Sequence, residues 1–98
     1  MNKKLFNKVL DRIQLDPAGW DQSVYDGHNG TNKVHCFGGW VVILDGQIIT
    51  SSTDTFNEAM RLLEITYNQA HWLFDTPRTI KDFIRVKKYG FFIARLFS

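Results

Sequence analysis

The residues best suited to chemistry are concentrated between Asp26 and Gly46. This stretch holds the only cysteine of the 98-residue chain, two of its three histidines and five of its seven glycines. Cys36 is the one candidate for a cysteine nucleophile, with His35 and His28 as candidate bases. If Cys36 lies in the first turn of a helix, backbone amides and the helix dipole are expected to lower the pKa of its thiol and favour the reactive thiolate.

The spacing around Cys36 does not supply a base. Adjacent residues on a helix do not face each other, so His35 is not positioned to deprotonate Cys36. His28 or His71 would have to approach from another part of the chain. The alternative is that Cys36 acts as a small buried hydrophobic residue packed under Trp40, and we favour this interpretation. We therefore assign no catalytic residue.

A metal site would have to collect His28, His35, Cys36 and His71. Imidazole and thiolate groups suit zinc, but their spacing matches neither a zinc finger nor a deaminase site. The glutamate of an H-x-E phrase is also absent. The sequence predicts no metal site and no cofactor.

Composition indicates a folded single domain that spans residues 1–98. Hydrophobic residues make up 44% of the chain and charged residues 22%, which is close to the globular average. The single cysteine cannot form a disulfide within the chain, and no leader peptide precedes the first helix, so we expect a reducing, cytoplasmic location. The longest apolar run, Trp40 to Leu44, is far too short to span a bilayer.

Charge is unevenly distributed, although the net charge is only +2. Residues 1–8 carry three lysines, residues 9–77 carry nine acids against three bases, and residues 78–98 carry six bases against one acid. A basic end of this kind points modestly to an acidic partner or a polyanion. The candidate binding residues in this region are Lys81, Arg85, Lys87 and Lys88.

Aromatic residues form a second set of binding candidates. Phe91 and Phe92 open the apolar C-terminal segment, residues 90–98, for which we expect docking on the core or self-association before contact with another protein or with nucleic acid. Trp20 and Tyr25 could form an aromatic ligand platform, but packing over the neighbouring loop is the favoured interpretation.

The pattern of apolar residues predicts a mainly α-helical bundle of four to five short helices. Helical periodicity over residues 1–15 stops at Asp16-Pro17, and residues 16–33, rich in Gly, Asp and Asn, read as an ordered loop. Residues 53–89 carry three threonine-led phrases that predict the starts of three short helices. These phrases are Thr55 to Glu58, Thr66 to Gln69 and Thr79 to Asp82.

Residues 34–52 fit two different structures. Asp45-Gly46 between apolar stretches is a strong hairpin signal, because a type I′ turn needs positive φ at both central residues. Alternatively, residues 35–44 form a buried central helix that Gly46 closes in the left-handed conformation. The helix carries two interior glycines, which cost roughly 1 kcal/mol each relative to alanine.

Several phrases occur in a fixed order over about residues 5–85. They are Asp16 to Gln22 (DPAGWDQ), Gly30-Thr31, His35 to Trp40 (HCFGGW), Ala59 to Thr66, Gln69-Ala70, Leu73-Phe74 and Thr79. In this order they resemble a family of small, mostly uncharacterised proteins of bacteria and bacteriophages. The resemblance implies a mainly helical architecture with the Cys-x-Ala-Gly-Trp-like segment as a central buried helix, and it implies no activity. The chain departs from the family at Gly38, usually alanine, and at the β-branched Val41 and Val42. These departures weaken the helix and leave the hairpin open, but on the strength of the resemblance we prefer the helix within residues 34–52.

These observations together favour a non-enzymatic function. We expect a small binding or accessory protein, bacterial or from a phage, that acts through protein–protein contacts and has no membrane partner. Self-association through the C-terminal apolar segment is a further expectation. The alternatives are a Cys/His enzyme or metal-binding protein centred on His28, His35 and Cys36, and a nucleic-acid-binding module that uses the basic C-terminal region.

Overall fold

Five helices and one short hairpin make up the residues that the structure, a computed structural model, describes. The description covers residues 1–96, so the last two residues of the predicted C-terminal segment lie outside it. The fold is mainly α, as predicted. The elements are α1 (Lys3–Leu15), a 3-10 turn (Pro17–Gly19), β1 (Gly27–Asn29), β2 (Asn32–Val34), α2 (Phe37–Leu44), α3 (Ser52–Leu63), α4 (Tyr67–Phe74) and α5 (Ile80–Leu96).

Helix α2 is the centre of the fold. It packs against α1, α3 and α4, and its first six residues are all buried. The Phe37 ring lies 4.9 Å from the ring of Phe6 on α1 and 4.7 Å from that of Phe83 on α5. A helix surrounded in this way has no polar face, which explains why its sequence is apolar throughout.

The Asp45-Gly46 phrase ends α2 and does not form the alternative hairpin. Gly46 adopts a left-handed conformation with φ of 87°. Its N–H donates to the Ile43 carbonyl at 3.0 Å, and the N–H of Gln47 donates to the Val42 carbonyl at 3.2 Å. These two bonds define a Schellman motif, which satisfies carbonyls at the helix end.

The hairpin lies instead within and just after the segment predicted as a loop. Strands β1 and β2 pair antiparallel, with Gly27 opposite Val34 and His28 opposite Lys33. The chain reverses at Gly30, whose φ of 64° suits glycine. The prediction of an ordered loop over residues 16–33 therefore missed two short strands, because three-residue strands give no sustained period.

Two of the three threonine-led helix starts are present. The Thr66 hydroxyl accepts the Gln69 N–H at 3.2 Å while the Gln69 side chain accepts the Thr66 N–H at 2.9 Å. Thr79 and Asp82 form the same reciprocal arrangement at the start of α5. The prediction at Thr55 is wrong by one turn.

The N-cap of α3 is Ser51, whose hydroxyl accepts the Asp54 N–H at 3.1 Å. Thr55 lies inside the helix, where its hydroxyl donates to the Ser51 carbonyl at 2.7 Å. The sequence is compatible with a helix that starts at Ser51 or at Thr55, because either hydroxyl could serve as an N-cap. The structure uses Ser51, one turn earlier, and Thr55 bonds back to the backbone inside the helix.

Helix α5 is broken at Gly90 and then continues. Gly90 has φ of 82° and ψ of 175°, so the regular helix that begins at Ile80 stops there as the sequence indicated. The described part of the C-terminal segment is nevertheless helical up to Leu96, with Phe91 and Ala94 buried. No helix in residues 1–96 combines the length and hydropathy needed to cross a membrane.

The segment between residues 19 and 25 crosses the start of α2 at very close range. A Cβ atom added to Gly39 would lie 2.2 Å from the Tyr25 carbonyl oxygen. A Cβ on Gly38 would meet the rings of Tyr25 and Phe74 at 3.1 and 3.2 Å. The two interior glycines thus allow residues 19–25 to pack directly against α2. At Gly39, the group that a side chain would clash with is a backbone carbonyl.

We expect Gly39→Ala to lower the free energy of unfolding by roughly 2 to 4 kcal/mol, because the Tyr25 backbone must move. Gly38→Ala is the matched control. Its Cβ meets only side-chain atoms, at 3.1 Å or more, so its loss should be clearly smaller. Urea unfolding of the two variants measures both values, and equal losses would contradict the close approach.

Candidate functional site

Cys36 is the N-cap residue of α2 and lies just before its first turn. Its side chain is almost fully buried, and its sulfur accepts the Gly39 N–H at 3.4 Å. The backbone N–H of Cys36 donates to the Val24 carbonyl at 2.6 Å. The thiol is therefore enclosed by the segment that crosses the start of the helix.

Burial raises the pKa of the Cys36 thiol from 9.0 to about 11. Hydrogen bonds from the backbone amides of Gly39 and Gly38 act in the opposite direction but are weaker than desolvation. The expectation that a helix start would lower this pKa is wrong, because it left out the loss of water around the sulfur. At neutral pH the group is a protonated thiol, which is a poor nucleophile.

The three histidines have different environments. His35 is buried, with its Nδ1 atom 2.8 Å from the Tyr25 carbonyl and its ring edge-on to Trp40 at 4.7 Å. Since a carbonyl only accepts, this Nδ1 atom carries a proton and donates it. His28 is exposed on β1, and His71 on α4 packs against the rings of Tyr67 and Phe56. Within residues 1–96, no group of three or more His, Cys, Asp or Glu side chains could hold a metal ion.

Gln22 holds the start of α2 and is not among the residues predicted to be functional. Its side chain is buried, and its Oε1 atom accepts the Phe37 N–H at 3.1 Å and the Trp20 indole N–H at 3.0 Å. Its Nε2 atom donates to the carbonyls of Leu73 at 2.9 Å and Asp75 at 3.2 Å. One amide thus joins the crossing segment to α2 and to the end of α4. The sequence feature that could have pointed to Gln22 is its place in the Trp-Asp-Gln phrase, one of the phrases that carry the family resemblance.

Trp20 and Tyr25 are packing residues in this arrangement. The Trp20 ring meets Phe83 edge-on at 5.9 Å, in addition to its bond to Gln22. Tyr25 packs over Gly38, and burial, followed by the nearby Cys36, raises the pKa of its hydroxyl to about 12. Both side chains are half-buried.

The basic and aromatic candidates lie on α5, where they have different environments. Lys81, Lys87 and Lys88 are exposed, whereas the Arg85 guanidinium is 3.6 Å from the Asp82 carboxylate. The other two candidates lie on opposite sides of the chain after Gly90. Phe91 is buried with its ring 6.1 Å from that of Trp72, whereas Phe92 is 76% exposed.

A crevice of about 340 Å³ separates the start of α1 from the last regular turn of α5. It is lined by Met1, Lys3, Asn7, Val86, Lys87, Lys88, Tyr89 and Gly90. We call this the basic crevice. Lys3 belongs to the lysine-rich start of the chain, so the packing of α1 on α5 unites the two basic ends that the sequence places far apart.

A second groove, of about 720 Å³, runs between the end of α2 and α3. Its rim carries Glu58, which accepts hydrogen bonds from Arg61 and Gln47. The Arg61 guanidinium, followed by the Gln47 amide, lowers the pKa of the Glu58 carboxyl. The charges of Glu58 and Arg61 therefore compensate each other, and Asp54 adds a further acidic group to the lining.

We expect Cys36 to resist a disulfide reporter reagent near neutral pH until the protein is denatured. The contribution of this thiol to the free energy of unfolding should be constant below pH 9 and be lost as the pH rises towards 11, because the unfolded thiol ionises from 9.0 while the folded thiol stays protonated. Urea unfolding across this range measures the effect. Cys36→Ala should reduce the fall and leave the part due to Tyr25. Rapid reaction of the native thiol at neutral pH would contradict this account.

Comparison with known proteins gives no relative from which a role could be transferred. A scan against protein-family models, a search of curated proteins and a search of solved structures each found no match. The resemblance to small bacterial and phage proteins remains a hypothesis.

Proposed function

We propose that this chain is a non-enzymatic binding protein that recognises a partner protein through the end of α5. The observation that carries this proposal is the exposure of Phe92 and Leu96, which are 76% and 67% accessible. They lie four residues apart on the helical turn after Gly90, so their side chains share one side of it. We call this pair the C-terminal face.

The C-terminal face is anchored by buried residues on the opposite side of the same helical turn. Phe91 and Ala94, on the opposite side of the same turn, are buried in the core. A large aromatic side chain on an anchored element loses little conformational freedom when a partner covers it, and such residues often dominate binding energy. The neighbouring Arg95 is exposed and adds a positive charge beside the apolar pair.

The chemistry of the Asp26 to Gly46 stretch supports binding over catalysis. Cys36 is buried, and burial raises its pKa to about 11, so the thiol is neither accessible nor ionised at neutral pH. His35 uses Nδ1 to donate to the Tyr25 carbonyl. Cys36 and His35 thus have structural partners within the fold, and His28, the third residue of the enzyme alternative, is exposed on β1.

We expect Phe92→Ser to abolish retention of a partner from a host lysate, or to weaken it at least about tenfold, which is the range of an interface hot spot. Leu15→Ser is the matched control, because Leu15 is 84% exposed at the end of α1 and lies on another element. Neither change should alter the free energy of unfolding by more than about 0.5 kcal/mol. The measurement is quantitative affinity capture with the three proteins side by side. Equal retention by all three would overturn the proposal.

A further inference from the structure

The basic crevice places three lysines around one small space. Lys3 comes from the first turn of α1, and Lys87 and Lys88 come from the last regular turn of α5. All three are exposed, and no acidic side chain is among the described residues that line the crevice. Like charges held close together raise the local positive potential and attract an anion.

One neighbouring feature adds to this potential, and the nearest acidic residue of α5 does not cancel it. The N-terminal end of α1 opens beside the crevice, and the N-terminus of a helix carries a partial positive charge. The acidic residue that belongs to α5, Asp82, is already engaged: its carboxylate accepts the Thr79 N–H at 2.8 Å and lies 3.6 Å from Arg85. It therefore does not neutralise the lysines of the crevice.

The crevice is also next to the C-terminal face along the chain. Its lining ends with Tyr89 and Gly90, and Phe92 follows two residues later. Its volume of about 340 Å³ is near the lower end of the range for ligand pockets, so it fits individual side chains better than a folded surface.

We propose that the basic crevice binds the carboxylates of an acidic segment in the partner protein, whose apolar side chains cover Phe92 and Leu96. This inference rests on the proposed function. Carboxylates are favoured over a nucleic-acid backbone because residues 9–77 carry nine acids against three bases, which would repel a long polyanion that extended beyond the crevice. Lysine ammonium groups around a small space suit a ligand that carries a few localised negative charges, such as carboxylates.

The test uses a fluorescein-labelled peptide in which glutamates alternate with phenylalanine and leucine, measured by fluorescence anisotropy. We expect binding that weakens as salt rises, and no binding of the same peptide with glutamine in place of each glutamate. The combined variant Lys3→Gln, Lys87→Gln and Lys88→Gln should bind the acidic peptide about tenfold more weakly, which is the summed effect of three exposed ion pairs.

The matched control removes the same charge elsewhere. Lys4, Lys8 and Lys33 are exposed and do not line the crevice, so their combined change to glutamine should weaken binding by less than about twofold. Equal losses in the two triple variants would show a general charge effect and overturn the crevice assignment. Failure of the acidic peptide to bind, or tighter binding of a single-stranded oligonucleotide with the same lysine dependence, would overturn the assignment to protein carboxylates.

The captured partner separates this inference from the proposed function. If Phe92→Ser loses the partner and the crevice variant retains it at full strength, the C-terminal face stands and the acidic segment is wrong. If the crevice variant loses the partner and Phe92→Ser retains it, the proposed C-terminal face is wrong. Loss in both variants, with retention in the control variant, supports both proposals.

Discussion

The fold depends on the contact between residues 19–25 and the first turn of α2. The first N–H groups of a helix have no partner within it, and burying them without one would be costly. Here the Phe37 N–H donates to Gln22 and the Gly39 N–H donates to the Cys36 sulfur. Gly39 allows the approach because its missing Cβ leaves room for the Tyr25 carbonyl. The central helix can therefore begin inside the core.

This contact accounts for the concentration of unusual residues between Asp26 and Gly46. Cys36 fills a small site and caps α2, His35 ties the crossing segment through the Tyr25 carbonyl, and Gly46 ends the helix. Side chains of types that often take part in catalysis or metal binding thus have structural roles here. The exposed lysines and apolar pair for which we propose a binding role lie elsewhere, at the start of α1 and on α5.

Local features were predictable from the sequence, and tertiary ones were not. The cap at Thr66 and the stop at Asp16-Pro17 depend on a few adjacent residues, and both are present. Asp45-Gly46 suits a type I′ turn and a Schellman motif equally, and the burial of α2 on every side decided between them. Gln22 joins residues more than 50 positions apart in the chain, and Lys3 meets Lys87 only because α1 packs on α5. Contacts of this kind leave no periodic pattern in the sequence, so they could not be predicted from it.

Amide hydrogen exchange of Phe37 tests the account most directly. Phe37 is the first residue of α2, and its N–H has the Gln22 side chain as its partner at 3.1 Å. We predict that this amide exchanges as slowly as the core amides of α2, with a free energy close to that of global unfolding. Fast exchange at Phe37, at the rate of a frayed helix end, would contradict the central role of this contact.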